Sequence, residues 1–194
     1  MANLTVSTIY FEQPGKANTD RTLDIAKKRA QELGINTILI ASTRGSTGVK
    51  AAHVFSNQRV VVVTHSTGFK ERNFQELTRE NRTQIEAAGV TVLTCQHALG
   101  GVNRGARKKL GTCQPGEIIA YVLRIFGQGM KVCVEIALMA ADAGLVPVGQ
   151  PCIAIGGTGH GADTAIVLTP ANAQDLFDLR VHEILCKPRL ASRE

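Results

Sequence analysis

Tryptophan is absent from this chain of 194 residues, and aromatic residues of all kinds make up only 4% of it. Hydrophobic residues still account for 44%, so a substantial core is possible, built mainly from Val, Ile, Leu and Ala. Such a composition is typical of a parallel sheet covered by helices on both faces. The length suits one domain, which we expect to extend over residues 1–194.

The sequence also has few features of secreted or membrane proteins. There is no CxxC motif, and the odd, widely spaced set of five cysteines is typical of reduced thiols inside a cell. No apolar run is long enough to span a bilayer, and the first residues lack a basic segment followed by an apolar stretch. We therefore expect a cytoplasmic protein with no signal peptide and no membrane segment.

Acidic residues are fewer than basic ones, 16 against 22, which gives a net charge of +6. The densest basic run comprises Arg104, Arg107, Lys108 and Lys109, and no aromatic residues are interleaved with it. Nucleic-acid binding is therefore not favoured, because such surfaces commonly combine both residue types. A solvated face and an anionic small ligand explain the positive charge equally well.

Strand-like and helix-like segments alternate along the chain. We predict strands at Thr5–Phe11, Thr37–Ala41, Val60–Thr64, Val90–Cys95, Pro151–Gly156, Thr164–Leu168 and Val181–Cys186. We predict helices from Thr19 to Gly34, from the STRGSTG loop to about Phe55, from about Phe74 to Ala88, from Pro115 to Gly144 with a break near Gly127–Gly129, and over Ala171–Leu179. Gln96–Gly111 lacks periodicity and is predicted to be a long loop. This order predicts a three-layer α/β/α fold with a mostly parallel sheet.

Small polar residues are concentrated where the predicted strands end, which is where ligands bind in parallel sheets. Backbone N–H groups at a helix N-terminus, with hydroxyl groups nearby, form anion sites. The candidate ligand-binding residues are Ser42, Thr43, Arg44, Gly45, Ser46, Thr47 and Gly48, then His65, Ser66, Thr67 and Gly68, and finally Gly157, Thr158, Gly159, His160 and Asp163. A fourth such loop is His97–Gly101. Any strand-to-helix turn favours Gly, Ser and Thr, but several such loops at one sheet end predict a phosphate-bearing small ligand.

Neither standard nucleotide-binding fingerprint is present. In Gly45-Ser-Thr-Gly48-Val-Lys50 the spacing differs from that of GxxxxGK[ST]. Gly157-Thr-Gly159-His-Gly161 is GxGxG rather than GxGxxG, and a predicted strand follows it instead of a helix. The sequence therefore supports neither a Walker site nor a Rossmann dinucleotide site.

Two stretches carry a resemblance to a known family. TLDIAKKRAQELGINTILIASTRGSTGVKAAHVFSNQRVVVVTH resembles the start of the pyruvate kinase C-terminal (α/β) domain, and VPVGQPCIAIGGTGHGADTAIVLTP resembles its final strand pair. In members of that family the first loop holds a phosphate of an allosteric effector. The resemblance implies the same role for Ser42, Thr43, Gly45 and Thr47. Arg44 and Gly48 depart from the family pattern, which has Ser or Thr and Ala there.

The catalytic barrel of pyruvate kinase has no counterpart here, so the resemblance does not imply kinase activity. The chain is similar to small stand-alone proteins built from this domain, a group with which flavin mononucleotide (FMN) is associated. The resemblance therefore implies that a phosphorylated small molecule, with FMN as one candidate, binds at these loops. The alternative is a non-catalytic regulatory or assembly module in which the loops are structural.

Candidates for catalysis are fewer. Cys95 and His97 stand two residues apart at a strand end, as a nucleophile and its base would, although a buried strand cysteine explains Cys95 more simply. Lys131, Glu135 and Asp142 share a helix face. Lys131 and Glu135 are most simply an i,i+4 pair, and the alternative is that the three residues form a polar stripe facing a site. The dispersed histidines show no metal-binding spacing. We also expect a homo-oligomer, because Val181–Cys186 would leave an apolar edge strand exposed in a monomer.

Overall fold

The computed structural model describes residues 3–189, in which seven strands form one sheet. The strands are β1 (Ile9–Phe11), β2 (Thr37–Ala41), β3 (Arg59–Val63), β4 (Thr91–Leu93), β5 (Cys152–Gly156), β6 (Thr164–Thr169) and β7 (Arg180–Pro188). Their order is β1-β7-β6-β5-β2-β3-β4. Only β6 runs antiparallel to its neighbours among these strands.

Helices cover both faces of the sheet. They are α1 (Thr19–Leu33), α2 (Ser46–Val54), α3 (Arg79–Ala87), α4 (Gly101–Leu110), α5 (Pro115–Arg124) and α6 (Gln128–Asp142). Two 3-10 helices, Lys16–Asn18 and Ala173–Asp178, complete the described elements. Helices α1, α2 and α3 pack on one face, and α5 and α6 pack on the other, with α4 against α5. The predicted three-layer α/β/α fold is therefore confirmed.

After their first residues, Thr37 and Arg59, the central strands β2 and β3 are apolar at every position because both of their faces are covered. In β2, Ile38 and Ile40 point into the core beneath α1 and α2, whereas Leu39 points into the core beneath α6. In β3, Val60 and Val62 lie in the first core and Val61 in the second. These alternating side chains fix the sheet between its helix layers, so the ends of β2, β3 and β5 are held at one edge.

Several predicted elements are corrected by the structure. Gln96–Gly111 is not a loop throughout, because α4 occupies Gly101–Leu110. Helix α3 begins at Arg79 rather than near Phe74, because the Thr78 hydroxyl caps it by accepting the Asn81 N–H at 3.2 Å.

The prediction that the last strand is an edge strand is also wrong. β1 pairs in parallel with β7, with Ile9 opposite Cys186, so β1 and β4 are the edges of the sheet. Because β1 covers β7, no exposed apolar edge at β7 calls for a second copy, and the homo-oligomer stays a prediction. Among the described helices, none combines the length and hydropathy that crossing a bilayer requires.

Candidate functional site

A cleft of about 830 Å³ opens at the carboxyl ends of β2, β3 and β5. Because these strands are parallel, the loops that follow them meet at the same edge of the sheet. The first loop contributes Ser42, Thr43, Arg44, Ser46 and Thr47 to the lining, the second His65, and the third Gly157, Thr158, Gly159 and His160. The fourth loop contributes His97, so the cleft brings together residues from all four loops that the sequence marks.

The N-terminus of α2 forms one wall of the cleft. The first N–H groups of a helix have no partner within the helix. Ser42 Oγ accepts the N–H of Gly48 at 3.0 Å, which satisfies one of them from inside the loop. Within residues 3–189 no protein acceptor is assigned to the N–H groups of Ser46 and Thr47. Those two groups, with the hydroxyls of the same residues, are donors available to an anion.

Two glycines of this loop, Gly45 and Gly48, do not line the cleft but allow the backbone to pass close to neighbouring side chains. Gly45 has φ of 100°, and a Cβ atom there would lie 2.4 Å from Asn81 Cβ. A Cβ atom on Gly48 would lie 2.9 Å from Ile85 Cδ1 and 3.0 Å from Val62 Cγ1. Both glycines thus allow α2 to approach its neighbours closely and fix the direction of its N-terminus.

Asp163 holds the third loop in place from inside the protein. Its side chain is fully buried, and Oδ2 accepts the N–H groups of Gly15 at 2.8 Å and Thr158 at 3.1 Å. Oδ1 accepts the hydroxyl of Thr164 at 2.8 Å. The carboxylate thereby joins the Gly-rich loop to the segment before α1, whose Lys16 also lines the cleft. Asp163 supports the site without facing it.

Helix α6 forms the opposite wall and carries a buried ion pair. Lys131 Nζ contacts Glu135 Oε2, and both side chains are at least nine-tenths buried. Burial alone would raise the pKa of Glu135, but the contact with His97 and the Lys131 ammonium lower it to about 2. Burial also lowers the pKa of Lys131. Glu135 Oε1 accepts the N–H of Leu99 at 3.1 Å, which connects α6 to the loop after β4.

A cluster of rings occupies the part of the cleft beside β3. His65 and Phe69 have ring centroids 4.0 Å apart, and Phe69 stacks on His97 at 4.9 Å with an interplanar angle of 20°. The guanidinium of Arg104 lies 4.5 Å from the centroid of Phe69. His65 Nδ1 is 2.8 Å from Glu76 Oε2, and Nε2 is 3.4 Å from Thr43 Oγ1. Planar groups and a carboxylate–imidazole pair therefore lie beside the loop that follows β2.

The remaining predicted residues lie elsewhere. Ser66, Thr67 and Gly68 follow His65 but do not line the cleft, and Ser66 contributes its N–H to His97 Nε2 at 3.4 Å. Asp142 is exposed and accepts the N–H of Ala173 at 3.0 Å, so it is not part of the same site as Glu135.

Cys95 is not paired with His97 as a nucleophile would be. Both ring nitrogens of His97 have other neighbours: Nδ1 lies 3.6 Å from Glu135 Oε2, and Nε2 accepts the N–H of Ser66 at 3.4 Å. Burial raises the pKa of the Cys95 thiol, which works against formation of the reactive thiolate. The geometry therefore favours the interpretation of Cys95 as a strand-end core residue.

Several residues of the cleft escaped the sequence analysis. They are Lys16, Phe69, Arg104, Arg124 and Gln128, together with Glu76 behind His65. Arg104 belongs to the basic run that the sequence shows, and an anionic ligand was one explanation of that charge. The run did not indicate that Arg104 lies on a helix. Glu76 stands eleven positions after His65 and returns to it only because the intervening loop folds back.

Comparison with known proteins gives both a family match and distant structural neighbours. The family model described as pyruvate kinase, alpha/beta domain matches residues 20–168. A pyruvate kinase from Cryptosporidium parvum is similar at 12% identity and a TM-score of 0.39, over 78% of this chain and 22% of that one. A structure of the Cryptosporidium parvum enzyme in complex with ADP gives 13% identity, a TM-score of 0.34 and coverages of 86% and 23%. O-ureido-L-serine synthase gives 20% identity, a TM-score of 0.30 and coverages of 66% and 40%. The chain thus spans less than half the length of each of these proteins.

Proposed function

The chain belongs to the pyruvate kinase alpha/beta-domain family, and from that premise we propose that it binds a phosphate-bearing small molecule in the cleft at the carboxyl ends of β2, β3 and β5. The observation that carries the proposal is the N-terminus of α2. There Arg44, Ser46 and Thr47 line one cavity, and within residues 3–189 the N–H groups of Ser46 and Thr47 have no assigned protein acceptor. Helix N-termini favour negative charge through both the free N–H groups and the helix dipole.

The charge of the lining supports an anionic ligand. Its cations are Lys16, Arg44, Arg104, Arg124 and Lys131. Glu135 is the acidic residue of the described lining, and Lys131 neutralises it. The surplus of positive charge therefore comes from the other four cations. Guanidinium groups suit phosphate because they form paired, charge-assisted hydrogen bonds.

FMN fits the residues that are present. Its phosphate would contact the Ser46 and Thr47 N–H groups and Arg44, and its planar ring system would lie against Phe69 with His65 and His97. The cleft volume of about 830 Å³ lies in the range of cofactor sites. When bound, a flavin would supply redox chemistry, whereas the residues of this chain would bind and orient it. We therefore propose FMN as the first ligand to test.

Thermal and chemical denaturation with added ligand test the proposal. A ligand at about 100 times its dissociation constant should stabilise the protein by about 2.7 kcal/mol. We expect inorganic phosphate and FMN to stabilise the native chain, and Arg44→Gln to weaken both effects. Arg82→Gln is the matched control, because Arg82 is a surface residue of α3 paired with Glu86 outside the cleft.

The rival function is the non-catalytic regulatory or assembly module. It requires no ligand at the loops, so neither phosphate nor FMN would change the unfolding midpoint of the native chain. If Arg44→Gln and Arg82→Gln alter ligand-induced stabilisation equally, phosphate is bound outside the cleft and the proposal is wrong.

A further inference from the structure

Two carboxylate–imidazole contacts flank the cleft, and they differ in whether the second ring nitrogen of the histidine can contact a ligand. In His97, Nδ1 lies 3.6 Å from Glu135 Oε2, and Nε2 accepts a backbone N–H at 3.4 Å. In His65, Nδ1 lies 2.8 Å from Glu76 Oε2, but Nε2 has only the Thr43 hydroxyl near it, at 3.4 Å. Within the described part of the chain, His65 therefore offers a ring nitrogen whose neighbour is a hydroxyl of the cleft.

The His65 ring is held in a defined orientation. Glu76 accepts the hydrogen of Nδ1, which leaves the lone pair on Nε2 directed at the cleft. Phe69 packs against the ring at 4.0 Å between centroids, and Gln75 Nε2 donates to the His65 carbonyl at 3.0 Å. The hydrogen bond to Glu76, the contact with Phe69 and the hydrogen bond from Gln75 to the backbone together hold the His65 ring in place.

The charged groups around His65 act in opposite directions. Burial lowers the pKa of its imidazole most strongly, and the hydrogen bond to Glu76 raises it. The charge of His97 lowers the pKa further, whereas Glu135 raises it. The net direction is down, so the neutral imidazole, which can accept a proton, predominates at neutral pH.

We propose that the cleft is an acid–base catalytic site in which His65 Nε2 takes a proton from a hydroxyl group of the bound ligand, with Glu76 as the positioning residue. The O–H bond of the ligand breaks, the proton bonds to Nε2, and the electron pair stays on the oxygen. The Glu76 carboxylate stabilises the imidazolium, which returns the proton in a later step. Positioned general bases contribute about 10²–10⁴-fold to rates.

The substrate class follows from the place of Thr43. Its Oγ1 lies next to His65 Nε2 and belongs to the loop that we propose to hold a phosphate. A ligand hydroxyl at that position would therefore be part of the molecule whose phosphate contacts α2. The inference rests on the proposed function and names its ligand as a phosphate ester that carries a free hydroxyl group.

Acylation of histidines by diethyl pyrocarbonate, followed residue by residue with peptide mass spectrometry, tests the state of His65. His182 is an internal control, because its Nε2 also lies beside a threonine hydroxyl, Thr169 Oγ1 at 2.7 Å, on the exposed surface. We expect His65 to react faster than His182 although it is less exposed. A slower reaction of His65, or an Nε2–H tautomer in nitrogen NMR, would overturn the inference.

The variant Glu76→Gln separates a proton-accepting role from a structural one. A glutamine oxygen can still accept the hydrogen of Nδ1, so the ring should keep its place, but the negative charge is gone. Because that charge raises the His65 pKa, the midpoint of the pH profile of His65 acylation should fall, while that of His182 should not move. An unchanged His65 midpoint would contradict the proposed coupling.

Ligand protection distinguishes the two proposals. Glycerol 3-phosphate carries both a phosphate and free hydroxyls, and at about 100 times its dissociation constant it should slow His65 acylation about 100-fold without slowing that of His182. If it stabilises the protein against unfolding but leaves His65 acylation unchanged, the phosphate site stands and the proton-transfer inference falls. If neither glycerol 3-phosphate nor inorganic phosphate binds, the proposed function falls, and the inference falls with it.

Discussion

Removal of the Asp163 carboxylate should destabilise this protein far more than removal of a surface carboxylate with similar partners. Asp163 is fully buried and accepts the N–H groups of Gly15 and Thr158. Asp142 is the matched control, since it also accepts a backbone N–H, that of Ala173, but it is exposed. The pair differs mainly in whether water can replace the lost oxygen.

The magnitude follows from the donors that Asp163→Ala leaves behind. Three donors lose their acceptor: the partly buried N–H groups of Gly15 and Thr158 and the buried hydroxyl of Thr164. A buried donor without a partner costs about 1–3 kcal/mol, and water can reach the two N–H groups in part, so we expect a total loss of about 2–6 kcal/mol. The free energy of unfolding of Asp163→Asn should lie between those of the native chain and Asp163→Ala. An amide oxygen can still accept from both N–H groups, and the amide NH₂ can donate to the Thr164 hydroxyl. Asp142→Ala should change the free energy of unfolding by about 0.5 kcal/mol, as surface substitutions do.

Urea denaturation of the four proteins measures these free energies, and hydrogen exchange locates the change. We expect faster exchange at residues 15–17 and 157–162 in the Asp163 variants, because the carboxylate joins those two segments. If the proposed FMN binding occurs, it should be weaker in these variants, since both segments line the cleft. If Asp163→Ala and Asp142→Ala are equally stable, the buried carboxylate does not hold the loop and the reasoning is refuted.

Four further outcomes can be measured on the same protein. Gly45→Ala should lower the free energy of unfolding by about 2–4 kcal/mol, because φ is 100° and the new Cβ meets Asn81. Gly105→Ala in α4 meets no atom within 4 Å and should raise it by about 0.5–1 kcal/mol. The pKa of Glu135 is lowered from 4.5 to about 2, so its carboxylate should stabilise the folded state above pH 4.5, and this stabilisation should be lost as the pH falls towards 2. In Glu135→Gln the free energy of unfolding, measured with urea, should depend less on pH between 4.5 and 2. Light scattering after size exclusion should give a mass above the 20.7 kDa of one chain if the predicted homo-oligomer forms.

The parts of the fold that the sequence predicted well are those with a strong local pattern. The runs Thr37–Ala41 and Val60–Thr64 are apolar and β-branched because both of their faces are buried, and the structure has strands there within one residue. Gly34 ends α1 with φ of 64°, as a C-terminal glycine should. Gly127, with φ of 121°, separates α5 from α6 near the predicted break.

The parts that it missed depend on contacts between distant segments. Helix α4 has no fully buried residue and contains Gly101 and Gly105, so neither an apolar stripe nor helix propensity indicated it. The pairing of β1 with β7 joins residues far apart in the chain, and no local pattern specifies which strand ends a sheet. The edge-strand prediction failed for that reason.

In the candidate site, too, the sequence predicted the parts with a local pattern and missed those that depend on contacts between distant segments. Its loops follow β2, β3 and β5 and are rich in Ser, Thr and Gly, so a search for polar residues after strands finds them. The opposite wall is formed by the helices on the other face of the sheet. In the sequence, Lys131 and Glu135 were explained most simply as an i,i+4 pair, with a polar stripe facing a site as the alternative. Their burial can be recognised only when α6 has been placed against β5.

The role of Ser42 shows how the structure refines a motif. Its hydroxyl accepts the Gly48 N–H, so it is engaged by the loop rather than free for a ligand. The anion site that we propose then lies one turn further along, at the N–H groups of Ser46 and Thr47, and the Thr43 hydroxyl lies beside His65. A phosphate at α2 and a proton acceptor at His65 would consequently address two groups of one ligand. In our proposal the loop therefore anchors the ligand, and the proton transfer takes place beside it.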